Sequence, residues 1–234
     1  MRLDKPSEAW LSGARTSPKY RRMGVATAMV MRCLEYAKER QVQVVRLATE
    51  SNNRAAIATA QKMGFKPVAE YLEMVLENNV IHERSKFSKF AEKSQTEALW
   101  RYLSCSEIYR TAAGLYTVLY HWYSLDKKSL RSFVEHGEAI VCKNAEGEIS
   151  GLTLIDDEAS RVWHENTVQT CYIDGSFETV MDMIKFLKSQ CRGRGIKKIY
   201  GYTCNYEPIV TAMKELGFKY PEKPTIVYER RIRT

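Results

Sequence analysis

No apolar run in this 234-residue chain approaches the length needed to cross a bilayer, and Met1-Arg2-Leu3-Asp4-Lys5-Pro6 lacks the hydrophobic centre of a secretory signal. A cytoplasmic setting with no membrane partner is therefore expected. The six cysteines, Cys33, Cys105, Cys142, Cys171, Cys191 and Cys204, are widely spread. They form no CxxC pair and have no His/Cys ligand spacing, which argues against a disulfide frame or a metal site and for buried thiols. No nucleic-acid-binding motif accompanies the net charge of +8. The basic clusters at Lys19–Arg22, Arg192–Lys198 and Arg230–Arg233 fall in different elements, so nucleic acid is not the expected partner. Ordinary apolar and charged fractions, 44% and 27%, fit a globular protein of one large or two modest domains.

What is present begins with Arg21-Arg22-Met23-Gly24-Val25-Ala26. Glu8 to Arg15 reads as a strand, Ser17-Pro18-Lys19-Tyr20 as a turn, and Ala26 to Glu39 as a helix with Met29, Val30, Cys33, Leu34 and Ala37 on one face. The start of such a helix is a place for an anion. Its first turn leaves backbone N–H groups unpaired, the helix dipole adds partial positive charge, and Gly24 lets the backbone approach a ligand closely. Arg21 and Arg22 add full charges. Downstream, Val42 to Thr49 is a β-branched strand, followed by Asn52-Asn53 as a helix cap, a short helix, and Met63-Gly64-Phe65.

With this ordered series the chain resembles the GNAT superfamily of N-acetyltransferases. The family's acetyl-coenzyme A loop, Arg/Gln-x-x-Gly-x-Gly/Ala, matches Arg21, Gly24 and Ala26; its second block, Asn-x-x-Ala ending in Gly-Phe, matches Asn53, Ala56, Gly64 and Phe65. The resemblance implies acetyl-coenzyme A as acyl donor and no metal. It assigns Ala14, Arg15 and Thr16 to the pantetheine arm, Arg21, Arg22, Met23, Gly24, Val25, Ala26 and Thr27 to the pyrophosphate, and Asn53 to the cofactor site.

Two departures stand out. Many family members carry a tyrosine four residues after the motif alanine, where it protonates the leaving thiolate, and this chain has Ala60 there. Another group or water then does that work, the thiolate leaves unprotonated, or the domain binds the cofactor without rapid turnover. Glu8 is the candidate general base, set against a solvated charge at a strand end. The family fold also has three strands and one or two helices before the strand at Glu8, where this chain has only Met1 to Pro6. A start site assigned too far downstream, a strand donated by a second subunit in a homodimer, and closure against the rest of the chain would each account for that.

Internal repetition is the other signal. Thr49 to Lys66 lies over Tyr202 to Lys219 without a gap, pairing Asn52 with Asn205 and Gly64-Phe65-Lys66 with Gly217-Phe218-Lys219. Helices are expected at Thr96–Leu103, Leu125–His136 and Val180–Leu187. A hairpin is expected from Ala139–Cys142 to Ile149–Ile155 across Asn144–Gly147, with strands at Val168–Ile173 and Ile196–Tyr202. Asp174-Gly175-Ser176 stands where the second copy would carry its cofactor loop and is too short and acidic for it. Arg192-Gly193-Arg194-Gly195 follows a helix and reads as a C-cap turn. The aromatic run from Tyr109 through Tyr123, with His121, fills an interface or lines an acceptor pocket. His82, His136 and His164 read as surface or loop residues.

The resulting expectation is an α/β protein of two acyltransferase-like (GNAT) units, with mixed, mostly antiparallel sheets flanked by helices. Residues 1–80 form an incomplete first unit with the cofactor loop, and 81–234 a second, degenerate one. A turn at Leu76–Asn79 and a basic linker at Lys86–Lys93 separate them. The expected activity is transfer of an acetyl group to a primary amine of a small molecule or peptide by direct attack; the alternative is a non-catalytic acyl-coenzyme A-binding or regulatory module.

Overall fold

The computed structural model describes residues 1–77, 85–156, 166–220 and 223–232. Its chain divides into two compact units, Met1–Glu70 with Lys223–Thr234, and Tyr71–Glu222.

In the first unit, β1 (Arg2–Lys5) and β2 (Glu8–Trp10) form an antiparallel pair, and β2 lies parallel to β3 (Val44–Glu50). The far side of β3 is taken by β12 (Thr225–Arg231), antiparallel to it, and β4 (Lys66–Glu77) starts from this unit. Helix α1 (Val25–Glu39) buries Leu34 and Ala37, and α2 (Arg54–Lys62) buries Ala60; with Ala9, Val42, Val45, Phe65 and Tyr228 these make the core. The expected apolar face of α1 is narrower than its sequence suggests. Met29 is 63% exposed and Cys33 half-buried, while Val30, half-buried, packs against the core beside Leu34 and Ala37.

The second unit has the strand order β4-β11-β10-β9-β8-β5, entered by β4 at Tyr71. Here β5 is Ser88–Phe90, β8 Ala139–Lys143, β9 Ile149–Asp156, β10 Thr167–Gly175 and β11 Lys198–Cys204. All these neighbours are antiparallel except β10 and β11. Helices α3 (Thr96–Cys105), α4 (Glu107–Thr111), α5 (Lys127–Glu135), α6 (Phe177–Gly193) and α7 (Glu207–Glu215) accompany them, with a separate hairpin of β6 (Leu115–Val118) and β7 (His121–Ser124). Met183, Ile184, Ile199, Ile209 and Met213 lie at the centre of its core.

The repeated Gly-Phe is a helix stop. In α2 the N–H of Gly64 bonds to Gln61 O and that of Phe65 to Ala60 O; in α7 Gly217 bonds to Lys214 O and Phe218 to Met213 O. Both are left-handed Schellman turns, with φ of +77° and +86°, and each delivers a phenylalanine into its core. The sequence repeat is therefore structural, each unit carrying a strand, a nine-residue helix and the same stop.

The strand after each stop pairs with the strand of the other repeat. From α2 the chain runs into β4, whose later residues pair with β11, while the strand after α7, β12, returns to β3. The two pairings are equivalent. Moving by the repeat distance that carries Thr49 onto Tyr202 takes Leu72 to Thr225 and Glu50 to Thr203, and Leu72 faces Thr203 as Thr225 faces Glu50. The compact units differ from the expected 1–80 and 81–234 in breaking between Glu70 and Tyr71 and in returning Lys223–Thr234 to the first; residue 80 itself lies outside the described residues. Other expectations need correction. The strand expected from Glu8 to Arg15 stops at Trp10, because the chain turns away after Leu11 and Gly13 is left-handed. Of the turn expected at Leu76–Asn79, Leu76 and Glu77 still belong to β4 and the rest is undescribed. The expected linker Lys86–Lys93 contains β5, anchored by the Asp182 carboxylate. That group accepts from the Lys86 and Phe87 amides at 2.7 and 3.1 Å and from the Ser88 hydroxyl at 2.7 Å.

Candidate functional site

The loop before α1 has the geometry of an anion cradle. Pro18–Tyr20 makes one 3-10 turn, Arg22 and Gly24 are both left-handed (φ +64° and +78°), and Gly24 caps the helix. The first helical hydrogen bond runs from Ala28 N to Gly24 O, 2.9 Å, so the amides of Val25, Ala26 and Thr27 precede the ladder. The first turn of α1 contains no acidic residue, and no side chain caps it. Alternation of left-handed and right-handed residues turns successive N–H groups to one side, the arrangement that holds phosphate in backbone nests. Arg21 folds back, its Nε donating to Thr16 O at 3.4 Å, which ties the expected arm segment to the expected pyrophosphate segment.

The arm segment lies where two parallel strands part. Leu11 N still donates to Arg46 O at 2.8 Å, after which β3 continues to Glu50 while Ser12 to Ser17 follow no strand. Ala14, Arg15 and Thr16 sit on this diverging stretch. Asn53 caps α2 as expected, its Oδ1 accepting from Ala56 N at 3.2 Å. Ala60 is buried in the core of the unit.

Glu8 is not the solvated strand-end charge weighed from the sequence. It is buried and ion-paired with Arg46 Nη1 at 2.5 Å, while Arg46 Nε meets Glu229 Oε2 at 3.0 Å. A Glu–Arg–Glu cluster thus joins β2, β3 and β12. Sequence reading missed it, although an arginine inside Val44-Val45-Arg46-Leu47 was a signal that a carboxylate would be found opposite.

The second unit builds the corresponding place differently. β10 and β11 also part, after Thr170 opposite Gly201, where a Cβ on Gly201 would collide with the Thr170 carbonyl oxygen. The stretch beyond carries Asp174, buried, whose carboxylate accepts from Tyr102 Oη (2.8 Å), Ser106 Oγ (2.6 Å) and Tyr172 Oη (2.6 Å). Burial, and then the neighbouring Asp174 charge, raise the Tyr102 and Tyr172 phenols above their ordinary range. Ser176 caps α6 by accepting from Thr179 N, and Glu178 adds a carboxylate to the first turn. A phosphate would meet fixed negative charge there. Arg192–Gly195 closes α6 as a C-cap turn, with Ile196 N bonded to Cys191 O.

The aromatic run packs within the second unit. Trp122 is buried against Tyr71 and Tyr202 at centroid distances of 5.3 and 5.0 Å, and Tyr71 Oη donates to Ala112 O. His121 stacks on Tyr123 at 6.4 Å. Burial pushes the Tyr200 phenol up to about 12. His136 is exposed; His82 and His164 lie outside the described residues, as does Arg233 of the last basic cluster. Cys142, Cys171, Cys191 and Cys204 are buried as expected, Cys33 is half-buried, and Cys105 is exposed. Among the described residues no cluster of three or more His, Cys, Asp or Glu could hold a metal, and no helix is long and apolar enough to cross a membrane.

Charge is divided unevenly. Met1–Glu70 with Lys223–Thr234 holds 17 Lys and Arg against 7 Asp and Glu, and Tyr71–Glu222 holds 19 against 21. The whole positive excess therefore belongs to the unit with the cradle.

Comparison with known proteins agrees with this anatomy. The model of the acetyltransferase (GNAT) family matches residues 1–65. No curated protein matches the chain. Among solved structures, a GCN5-related N-acetyltransferase from Sphaerobacter thermophilus superposes with a TM-score of 0.65 at 11% identity, over 98% of this chain and 74% of that one. The GCN5-related glucosamine N-acetyltransferase region of a fungal multi-domain β-N-acetylglucosaminidase gives 0.61 at 13% identity, over 94% of this chain and 29% of that one. A tandem GNAT protein from the clavulanic acid biosynthesis pathway gives 0.53 at 11%, over 96% and 75%. Residues 1–65 match the GNAT acetyltransferase model, and the fold that the chain shares with these structures is the GNAT fold.

Proposed function

We propose that the protein is an N-acetyltransferase that binds acetyl-coenzyme A in its first unit and transfers the acetyl group to a primary amine of a small molecule or peptide. The observation that carries this reading is the left-handed loop at Arg22 and Gly24, which opens α1 with three amides ahead of the first helical bond. It stands in a unit with a large positive excess, suited to the phosphates of coenzyme A. In this reading the pyrophosphate lies on Met23 to Thr27, and the pantetheine arm runs beside Ala14 to Thr16 where β2 and β3 part. A neutral amine attacks the thioester carbonyl carbon, and a backbone N–H of Ala14 to Thr16 receives the developing oxyanion. The C–N bond forms, the C–S bond breaks, and the proton lost by the nitrogen ends on the coenzyme thiol or in water. Glu8 acts in this scheme through structure, fixing the strand beside the arm through Arg46, rather than as a base.

A second reading, a module that binds acyl-coenzyme A without turnover, is favoured by the buried Ala60 at the place of the family's tyrosine acid and by the commitment of Glu8 to Arg46. Calorimetric titration of acetyl-coenzyme A into the wild-type chain and into Gly24→Glu tests both. No atom lies within 4 Å of a Cβ at Gly24, but its φ of +78° strains any side chain, so the substitution disturbs the loop as well as placing a carboxylate at the proposed pyrophosphate site. The expected result is binding that the substitution abolishes, followed by thiol release in an amine screen. Binding without thiol release for any amine selects the second reading, and a folded chain that does not bind removes both.

A further inference from the structure

The far end of α1 carries a feature that the cofactor reading leaves unused. A groove of about 1220 Å³ opens between the last turns of α1, the end of α2, the start of β4 and the end of β12, all within the first unit. Lys38, Lys62, Lys66, Arg230 and Arg231 line it, against the carboxylates of Glu35 and Glu229. Both carboxylates are already engaged. Glu35 pairs with Arg32 at 3.2 Å, and Glu229 with Arg46 at 3.0 Å and Arg231 at 3.5 Å. Arg230 gives Nη1 to the carbonyl of Met63, the C-cap residue of α2. Among the described residues, Lys38, Lys62, Lys66 and Arg230 have no carboxylate partner. Cations at helix C-termini are ordinary, and that accounts for Lys38 and Lys62 in the last turns of α1 and α2. It does not account for Lys66 and the two arginines, which stand on strands and converge on the same groove.

We propose that this groove docks an acidic polypeptide segment. The unbalanced cations supply the attraction, and Met31, Leu34, Val68 and Ile232 in the lining give apolar contacts for side chains between the acidic ones. A nucleic-acid strand fits less well. The lining has no aromatic residue on which a base could stack, and Glu35 and Glu229 interrupt the positive surface. Along α1 the groove runs from Met31 to Lys38, about 10 to 21 Å from Gly24 by the 1.5 Å rise per residue, so its cations lie a helix length from the cradle.

The test is fluorescence anisotropy of a labelled peptide, Glu-Glu-Leu-Asp-Glu-Met-Glu-Glu, titrated with the full chain at low and moderate salt. Three proteins are compared: wild type, the triple variant Lys38→Glu, Lys62→Glu, Lys66→Glu, and a control with Lys127→Glu and Lys128→Glu in the second unit. Circular dichroism and acetyl-coenzyme A titration verify that each variant is folded. Binding that weakens with salt, falls at least about tenfold in the triple variant and holds in the control supports the proposal. No binding by the wild type, an equal loss in the control, or stronger binding of a single-stranded oligonucleotide of the same charge overturns it. Because the cradle is titrated separately, failure here is distinct from failure of the acetyltransferase reading.

Discussion

Replacing Arg46 by methionine should loosen β12 while leaving the second unit intact. The side chains of Arg46, Glu8 and Glu229 are 5%, 10% and 17% exposed, so the substitution leaves two carboxylates with little water and without their shared cation. Breaking a buried charge cluster by removing one partner costs about 3–5 kcal/mol, and the partial exposure of Glu229 places this case near the lower figure. About 3 kcal/mol is roughly a hundredfold in an opening equilibrium. Hydrogen exchange followed by mass spectrometry resolves where that change falls. Amides of β12 such as Tyr228 should exchange roughly a hundredfold faster, while Val141 and Leu152 in β8 and β9 keep their protection. Exchange of β12 that changes less than about threefold, or that rises equally in both units, would refute the assignment. The triple replacement Glu8→Leu, Arg46→Met, Glu229→Leu should recover stability to within about 1 kcal/mol of wild type, since apolar packing commonly substitutes for a buried ion cluster. The repeat supplies an internal comparison. The positions equivalent to Arg46 and Glu229 in the second unit are Ile199 and Leu76, both buried, which pair across β11 and β4. The cluster therefore distinguishes the strand that belongs beside β3 from its counterpart.

Asp174→Ala should destabilise the second unit by at least about 3 kcal/mol, measured by urea unfolding, because three buried or part-buried hydroxyls lose a charged acceptor together. Acid should release β5 before it unfolds the rest. Burial works against the Asp182 charge, but the Lys86 amide, the Ser88 hydroxyl and the Phe87 and Ser88 amides outweigh it and hold the carboxyl below its ordinary value of 3.8. A depressed folded-state pKa contributes stability above the unfolded value that is lost as pH falls through the folded one. Exchange of the β5 amides should therefore rise as pH drops below about 4, relative to their intrinsic rates, and Asp182→Asn should remove that dependence. An unchanged profile in the variant would assign the acid response elsewhere.

The parts legible in the sequence were those whose signal is local. A glycine after basic residues at a helix start, an asparagine cap, and Gly-Phe stops at matched positions in two copies each follow from short-range backbone geometry, and the structure has them in place. The hairpin of β8 and β9 and the helices α3, α5 and α6 announced themselves by periodicity. What stayed hidden depends on distant partners. Nothing near residue 225 indicates that β12 pairs with β3, because that pairing crosses most of the chain. Glu8 looked like an exposed strand end because its partner lies 38 residues away and the third member of the cluster farther still. Asp174 looked merely acidic, whereas its three hydroxyl partners come from α3, the start of α4 and β10 itself. The groove cations were read as dispersed because four separate elements bring them together.

The pairing of strands across the repeats also sets an order of events during synthesis. When residues 1–70 have left the ribosome, β3 has its β2 neighbour but not its other partner, which arrives only with Thr225–Arg231. β4, finished soon afterwards at Glu77, waits for β11, whose first residue is Lys198. The second unit holds all its strands in the continuous stretch Tyr71–Glu222, whereas the first waits for a strand made last, and pairings of such long sequence separation form slowly. On the nascent chain the second unit can therefore close before the first, which began earlier but is completed only by its last strand. During that interval the unpaired edge of β3 is exposed, and chaperone occupancy of ribosome-bound chains should persist until β12 is released.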